Sequence, residues 1–258
     1  MDYDFVSAAV ESARDRIAAA AARAGRRSEE VELLAVTKFH PVPAVIAAWD
    51  AGIRSFGESR VQEAEEKYPA FFEARPEARQ AGRLDMIGHI QSNKAKKAVT
   101  LFSRLQSVDS IELIEELNNR ARSVDRRLEV LLELHTGEES KEGFRGPDEL
   151  YRGLELLLSL KDRRLEPRGL MTMAPAMAPG DEGRTAESAV RASFRVLSAA
   201  SEGARARFGG GAAGAVGTAA APRLDVLSMG MSSDFEIAVE EGSTLVRIGT
   251  ALFGRRKA

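Results

Sequence analysis

Cysteine is missing from the 258-residue sequence, which excludes disulfides, thiolate metal sites and a cysteine nucleophile. A dominant charge of one sign is missing too. The formal net charge is −2, so no overall field draws the chain to nucleic acid or to an acidic membrane. No apolar stretch approaches the roughly 18 residues that a membrane span needs. The opening segment, "MDYDFVSAAVESARDRIAAAAARAGRR", is charged and amphipathic, without an apolar core of the signal-peptide kind. The basic clusters "QSNKAKK" (91–97) and "RSVDRR" (122–127) carry no interleaved aromatics and read as solvated helix faces. These absences leave a globular, cytoplasmic protein with no membrane and no nucleic-acid partner as the expectation.

What the chain does have is alternation. Phe5, Ala9, Val10, Ala13 and Ile17 recur at helical spacing and predict an opening amphipathic helix. Eight short apolar runs follow, at 31–38, 53–58, 85–90, 104–109, 128–136, 167–173, 224–231 and 244–250. Segments of helical composition separate them, near 42–51, 59–72, 91–100, 110–123, 147–161, 184–207 and 233–241. Parallel neighbours need helix-sized crossovers, so this order predicts a parallel α/β sheet. At this length a closed (β/α)8 TIM barrel, one domain over 1–258, fits better than an open sheet. A seven-strand open sheet is the alternative, because the second and fourth runs are short and carry Arg54, Ser55 and Gln106. The Gly/Ala-rich stretch 209–222 reads as a flexible insertion on the N-terminal face, away from a ligand.

Barrel enzymes place their chemistry at the C-terminal ends of the strands. Polar residues gather there. The first run ends at Lys38, the second at Glu58 and Ser59, the third at His89, the fourth at Asp109, the fifth at His135 and the sixth at Thr172. The seventh ends in "SMGMSSD", followed by a capping-box pattern from Ser233 to Glu236. The eighth ends in "RIGTALFG". Loops after strands seven and eight often bind phosphate through glycine amides, here Gly230 and Gly249, with Ser232 and Thr250 as added donors.

Arg247 shares a strand face with Gly249 and must find an acceptor. An internal ion pair with a carboxylate such as Glu58 would supply one, and so would the ring nitrogen of a bound ligand. Lysine, phosphate cradle and inward arginine together suit pyridoxal 5′-phosphate, held as a Schiff base on Lys38. Partial desolvation at the rim would favour the free amine.

The motifs "LLAVTKFHP", "FGESRVQEAEEK", "MIGHIQSNK", "SVDS", "GFRG", "GLMTMAP" and "LSMGMSSDFEIAVEEGSTLVRIGTALFG" span about 30–254. Together they resemble the pyridoxal phosphate homeostasis proteins, relatives of the alanine racemase barrel. The resemblance implies a modified barrel with a leading helix and the cofactor on Lys38. It also implies Arg247 at the pyridine nitrogen, and Ser232, Gly249 and Thr250 at the phosphate, with Ser228 and Met231 nearby. Ser59 and His89 complete the implied cofactor-binding set. Two motifs depart from the family's usual pattern. Ser59 replaces the asparagine of "FGEN", and "LDMIGHI" lacks the usual aromatic pair with tryptophan.

An arginine at the ring nitrogen makes the cofactor a poorer electron sink, so a racemase of this type relies on two acid/base groups. Alanine racemase takes its second group, a tyrosine, from another domain and a dimer partner. Here the sequence ends at Ala258, and Tyr3, Tyr68 and Tyr151 are expected in helices away from the rim. His89 and His135 could substitute for that tyrosine, but a lone histidine at a strand end is more often hydrogen-bonded structure. The expectation is a monomeric, non-catalytic binder acting in vitamin B6 homeostasis, with dependent apo-enzymes as partners. A weak amino-acid racemase is the alternative. Met171, Met173 and Met177 read either as rim packing or as an adaptable partner surface.

Overall fold

A computed structural model describes residues 3–137, 143–175, 184–209 and 221–254 of the chain. Eight parallel strands close into a barrel in sequence order. They are β1 Glu32–Val36, β2 Ser55–Glu58, β3 Arg83–Met86, β4 Arg104–Val108, β5 Leu128–Glu133, β6 Leu165–Met171, β7 Val226–Ser228 and β8 Leu245–Ile248. Helix α1 (Phe5–Arg23) precedes them. The crossovers hold α2 Val42–Asp50, α3 Val61–Ala74, the short α4 Ala78–Ala81, α5 Ala95–Leu101, α6 Ile111–Ser123, α7 Pro147–Ser159, α8 Arg184–Phe208 and α9 Phe235–Glu240. A last turn, α10 Thr250–Phe253, follows β8. Pairing of β1 with β8, with Leu34 opposite Arg247, shuts the ring and rules out the open sheet. The core of the Gly/Ala-rich segment and Met177 lie outside the described residues.

The period of two sorts the strand side chains. Ala35, Val130, Leu170, Leu227 and Val246 point outward into the main core, against the helices. Leu34, Val36, Leu131, Met171, Val226 and Leu245 form a second cluster inside the barrel. The interior is not wholly apolar. Arg104, only 1% exposed, donates from Nε and Nη2 to Asp85 Oδ2 at 2.8 and 2.6 Å. Arg83 joins Glu32 and lies 3.2 Å from Asp85 Oδ1, while Arg168 joins Glu129 and Asp225. These pairs floor the barrel and explain a shift in β3, which runs over 83–86 rather than 85–90. Its inward residues are charged, so the apolar pattern begins late. His89 and His135 consequently lie beyond the strand ends.

On the outside, α1 packs on α2, α9 and α10. Ion pairs clasp α9 from both sides: Arg16 with Glu236 at 2.6 Å, Arg23 with Glu240 at 2.7 Å, and Arg191 with Glu240 and Glu241 at 2.8 and 2.7 Å. Burial alone would raise Glu241, but Arg195 and Arg191 outweigh it and hold the carboxyl below its ordinary 4.5. A depressed carboxyl stabilises the fold above its unfolded pKa, and that stability is lost as pH falls through the folded value. Glu241→Gln should therefore lower the thermal midpoint most near neutrality, with the gap to the parent closing below about pH 4. A gap constant with pH would remove Glu241 from the clasp.

Candidate functional site

The site is built where β1, β7 and β8 end. Thr37 follows β1 and turns outward, donating from Oγ1 to Glu58 Oε1 at 2.7 Å. Lys38 is half-buried in the turn two residues past Val36, the last inward-facing residue of β1. Phe39 adopts φ 64°, a left-handed conformation disfavoured for a bulky residue, which sharpens the turn out of the strand. The His40 ring lies 4.7 Å from that of Phe253, joining this turn to α10.

The turn is braced from α3. Lys67 Nζ donates to the Thr37 carbonyl at 2.7 Å, to Glu58 Oε1 at 2.8 Å and to Glu63 Oε1 at 2.7 Å, while Glu63 also accepts the Phe39 amide. Tyr68 Oη lies 3.0 Å from Thr37 Oγ1. The Thr37 proton is engaged by Glu58, so the phenol is the donor. Tyr68 is therefore not remote from the rim as expected; it is buried directly behind the turn. Burial first, then the Glu58 charge, raises its pKa well above 10. Burial likewise raises Glu58, against the Lys67 charge, and leaves Glu58 Oε2 without a hydrogen bond.

Arg247 is 4% exposed and faces inward from β8. The ion pair with Glu58 does not form, because Glu58 points outward to Thr37 and Lys67. Arg247 instead donates from Nη1 to Ser228 Oγ at 2.6 Å and from Nη2 to the Thr172 carbonyl at 2.9 Å. Two of its five N–H groups are thus spent within the protein. Burial pulls the guanidinium down to about 10 while Glu133 and Asp234 oppose the shift, so it is still cationic at neutral pH.

Ser232 joins the last two loops: its Oγ accepts the Gly249 and Ala251 amides at 3.3 and 3.2 Å. A Cβ on Gly249 would sit 3.3 Å from Val36, so the β8 loop lies against the tip of β1. Gly230 has φ 95°, and an added Cβ would fall 2.6 Å from that of Ala238. Only glycine fits where the β7 loop crosses α9. The predicted Ser233–Glu236 capping box does not form: Asp234 occupies the cap position without a side-chain cap bond. Its Oδ1 accepts the Met231 amide three residues back at 2.5 Å, bracing the loop rather than the helix.

The structure therefore brings Arg247 to Ser228, and Ser232 to Gly249, with β1 alongside. Thr250 is exposed at the start of α10. Ser59 is half-buried where its backbone abuts Gly88. His89 pairs its Nδ1 with Asp109 Oδ2 at 3.0 Å. Sequence reasoning missed Lys67, Tyr68, Asp234 and Gln106; only their three-dimensional contacts reveal them. The donor set fits an aldehyde-bearing aromatic phosphate: an amine, a buried cation with donors beyond those bonded to Ser228 and Thr172, and a serine hydroxyl whose own proton is not used by the two amides it accepts.

The family model for the alanine racemase N-terminal domain matches residues 11–257. The pyridoxal phosphate homeostasis protein of Escherichia coli K12 is 37% identical over 246 residues, covering 94% of this chain and 93% of its own. The protein of that name from Vibrio alginolyticus is 37% identical over 235 residues, covering 91% and 90%. PipY of Synechococcus elongatus, solved with pyridoxal phosphate bound, superposes with a TM-score of 0.76 at 32% identity, covering 96% of this chain and 100% of its own. An alanine racemase from Streptomyces coelicolor shares the fold, with a TM-score of 0.68 at 21% identity, over 97% of this chain and 59% of its own.

Proposed function

The chain belongs to the pyridoxal phosphate homeostasis proteins, on the barrel of the alanine racemase N-terminal domain, and from that premise we propose that it binds pyridoxal 5′-phosphate and serves its intracellular homeostasis without catalytic turnover. One observation carries this reading: a buried arginine, with two of its five N–H groups spent on Ser228 and Thr172, lies inside the barrel on the strand paired with β1.

Lys38 would hold the cofactor through its ε-amine, the nucleophile suited to the aldehyde. Ser232, Gly249 and Thr250 hold the phosphate, and Met231 and Ser228 line the adjoining loop and floor. Arg247 donates to the pyridine nitrogen. When bound, the cofactor supplies an electrophilic carbon and an electron-accepting ring. An always-charged donor leaves that ring nitrogen without a proton of its own, which weakens electron withdrawal and favours holding over turnover. Ser59 and His89 flank the mouth. The protein acts as a cytoplasmic monomer that delivers the cofactor to dependent apo-enzymes.

Two measurements on the loaded protein test this. Mixed with an apo-enzyme that needs pyridoxal phosphate, it should restore that enzyme's activity. Incubated with single L-amino acids in heavy water, it should leave Cα hydrogen exchange at the background rate. Rapid exchange of one amino acid would establish the racemase-like alternative, and failure to take up the cofactor would remove the reading altogether.

A further inference from the structure

We propose that Gln106 is a positioning residue that acts through Ser228 to orient Arg247 toward the bound ring, an inference resting on the cofactor reading above. Gln106 is completely buried on β4. Its Nε2 donates to Asp85 Oδ2 at 2.6 Å, and its Oε1 accepts from Ser228 Oγ at 2.7 Å. Ser228 Oγ in turn accepts from Arg247 Nη1 at 2.6 Å. A single file of hydrogen bonds thus runs from the charged floor to the arginine.

The direction of that file is forced. Asp85 is held by Arg104 and faced by Arg83, so its carboxylate only accepts. The Gln106 amide must turn its NH2 toward Asp85 and its carbonyl toward Ser228. The Ser228 hydroxyl has one proton, and the carbonyl takes it. What Ser228 presents to Arg247 is then a lone pair, which fixes Nη1 while the Thr172 carbonyl fixes Nη2. With two corners pinned, the planar guanidinium has one orientation, and its remaining donors have one direction. Without Gln106, the Ser228 proton is free to turn against Nη1 and the plane is released.

Replacing Gln106 with Leu keeps the volume and removes both bonds. Release of pyridoxal phosphate, followed by trapping with excess apo-enzyme, should quicken by about tenfold, as expected for a misdirected charge-assisted bond. The pH profile of the visible absorption of the Lys38-linked cofactor should shift with it. In a Ser228→Ala background, Gln106→Leu should add less than about a further twofold, because the path is already cut. Gln106→Glu supplies a second variant should Gln106→Leu not fold. While protonated, the introduced carboxyl donates to Asp85 and accepts from Ser228 as the amide does, so retention should be near that of the parent at low pH and fall as it ionises. Unchanged release and absorption in Gln106→Leu, additive effects with Ser228→Ala, or pH-independent retention in Gln106→Glu would each overturn the positioning role. A parent protein with no Lys38-dependent absorption would instead overturn the cofactor reading, so the two failures are distinct.

Discussion

Lys38→Ala should abolish the visible absorption of cofactor-loaded protein and leave no borohydride-stable adduct. The argument is local. Lys38 lies two residues beyond Val36, the last inward residue of β1, and the outward turn of Thr37 is secured by Glu58, Lys67 and Tyr68. The β8 loop proposed for the phosphate lies against the same strand tip, Gly249 on Val36. Loss of the amine deletes the covalent bond but not the seat, since Arg247, Ser228 and Ser232 keep their partners. The variant should therefore still fold and bind the cofactor only reversibly, losing it on a desalting column. An adduct that survives reduction in Lys38→Ala would assign the bond to another lysine.

The largest effect on stability is expected from Lys67→Met. Lys67 is 7% exposed and neutralises Glu58, which is wholly buried. Breaking a buried pair from one side leaves an uncompensated charge and costs about 3–5 kcal/mol. The Thr37 carbonyl and Glu63 lose their donor in the same step. Chemical denaturation should show the loss directly, and its pH dependence identifies the cause. Glu58 already has a folded pKa raised by burial, and without the ammonium it rises further. A raised carboxyl destabilises the folded state above its folded pKa and is relieved as pH falls, so the deficit should shrink toward acid. Adding Glu58→Gln should recover part of the loss at neutral pH. A deficit below about 1 kcal/mol, or one that grows toward acid, would mean that the triad carries no net charge burden.

Helices and most strands could be read from the chain because their outward faces are apolar at regular spacing, as in Ala35, Val130 and Val246. The inward face obeys other rules. Arg83, Asp85, Arg104 and Gln106 satisfy one another inside the barrel, and a hydrophobic pattern treats each as a surface residue. Gln106, which seemed to weaken the fourth strand, is a wholly buried member of it. The departure at Leu84–Asp85 marked the third strand as unusual without disclosing that Asp85 anchors the arginine's support. Helical spacing put Tyr68 on α3 correctly, but the reach of its hydroxyl to Thr37 depends on how that helix packs. The placement of Lys38 just after β1, of Arg247 in β8 and of Ser232 in the loop after β7 was legible because strand ends and glycine turns are local features. The Ser233–Glu236 pattern misled because Asp234, between them, had a competing use for the same turn.

The wall of the barrel separates two sets of contacts that share no residue. Thr37, Glu58, Lys67 and Tyr68 brace the turn after β1 from outside, and Asp85, Gln106, Ser228 and Arg247 form a chain within. Substitutions confined to different sets are then expected to combine independently. On the proposed cofactor reading, the turn that carries Lys38 and the support of Arg247 become separate dials, and evolution or an engineer can turn one with little retuning of the other.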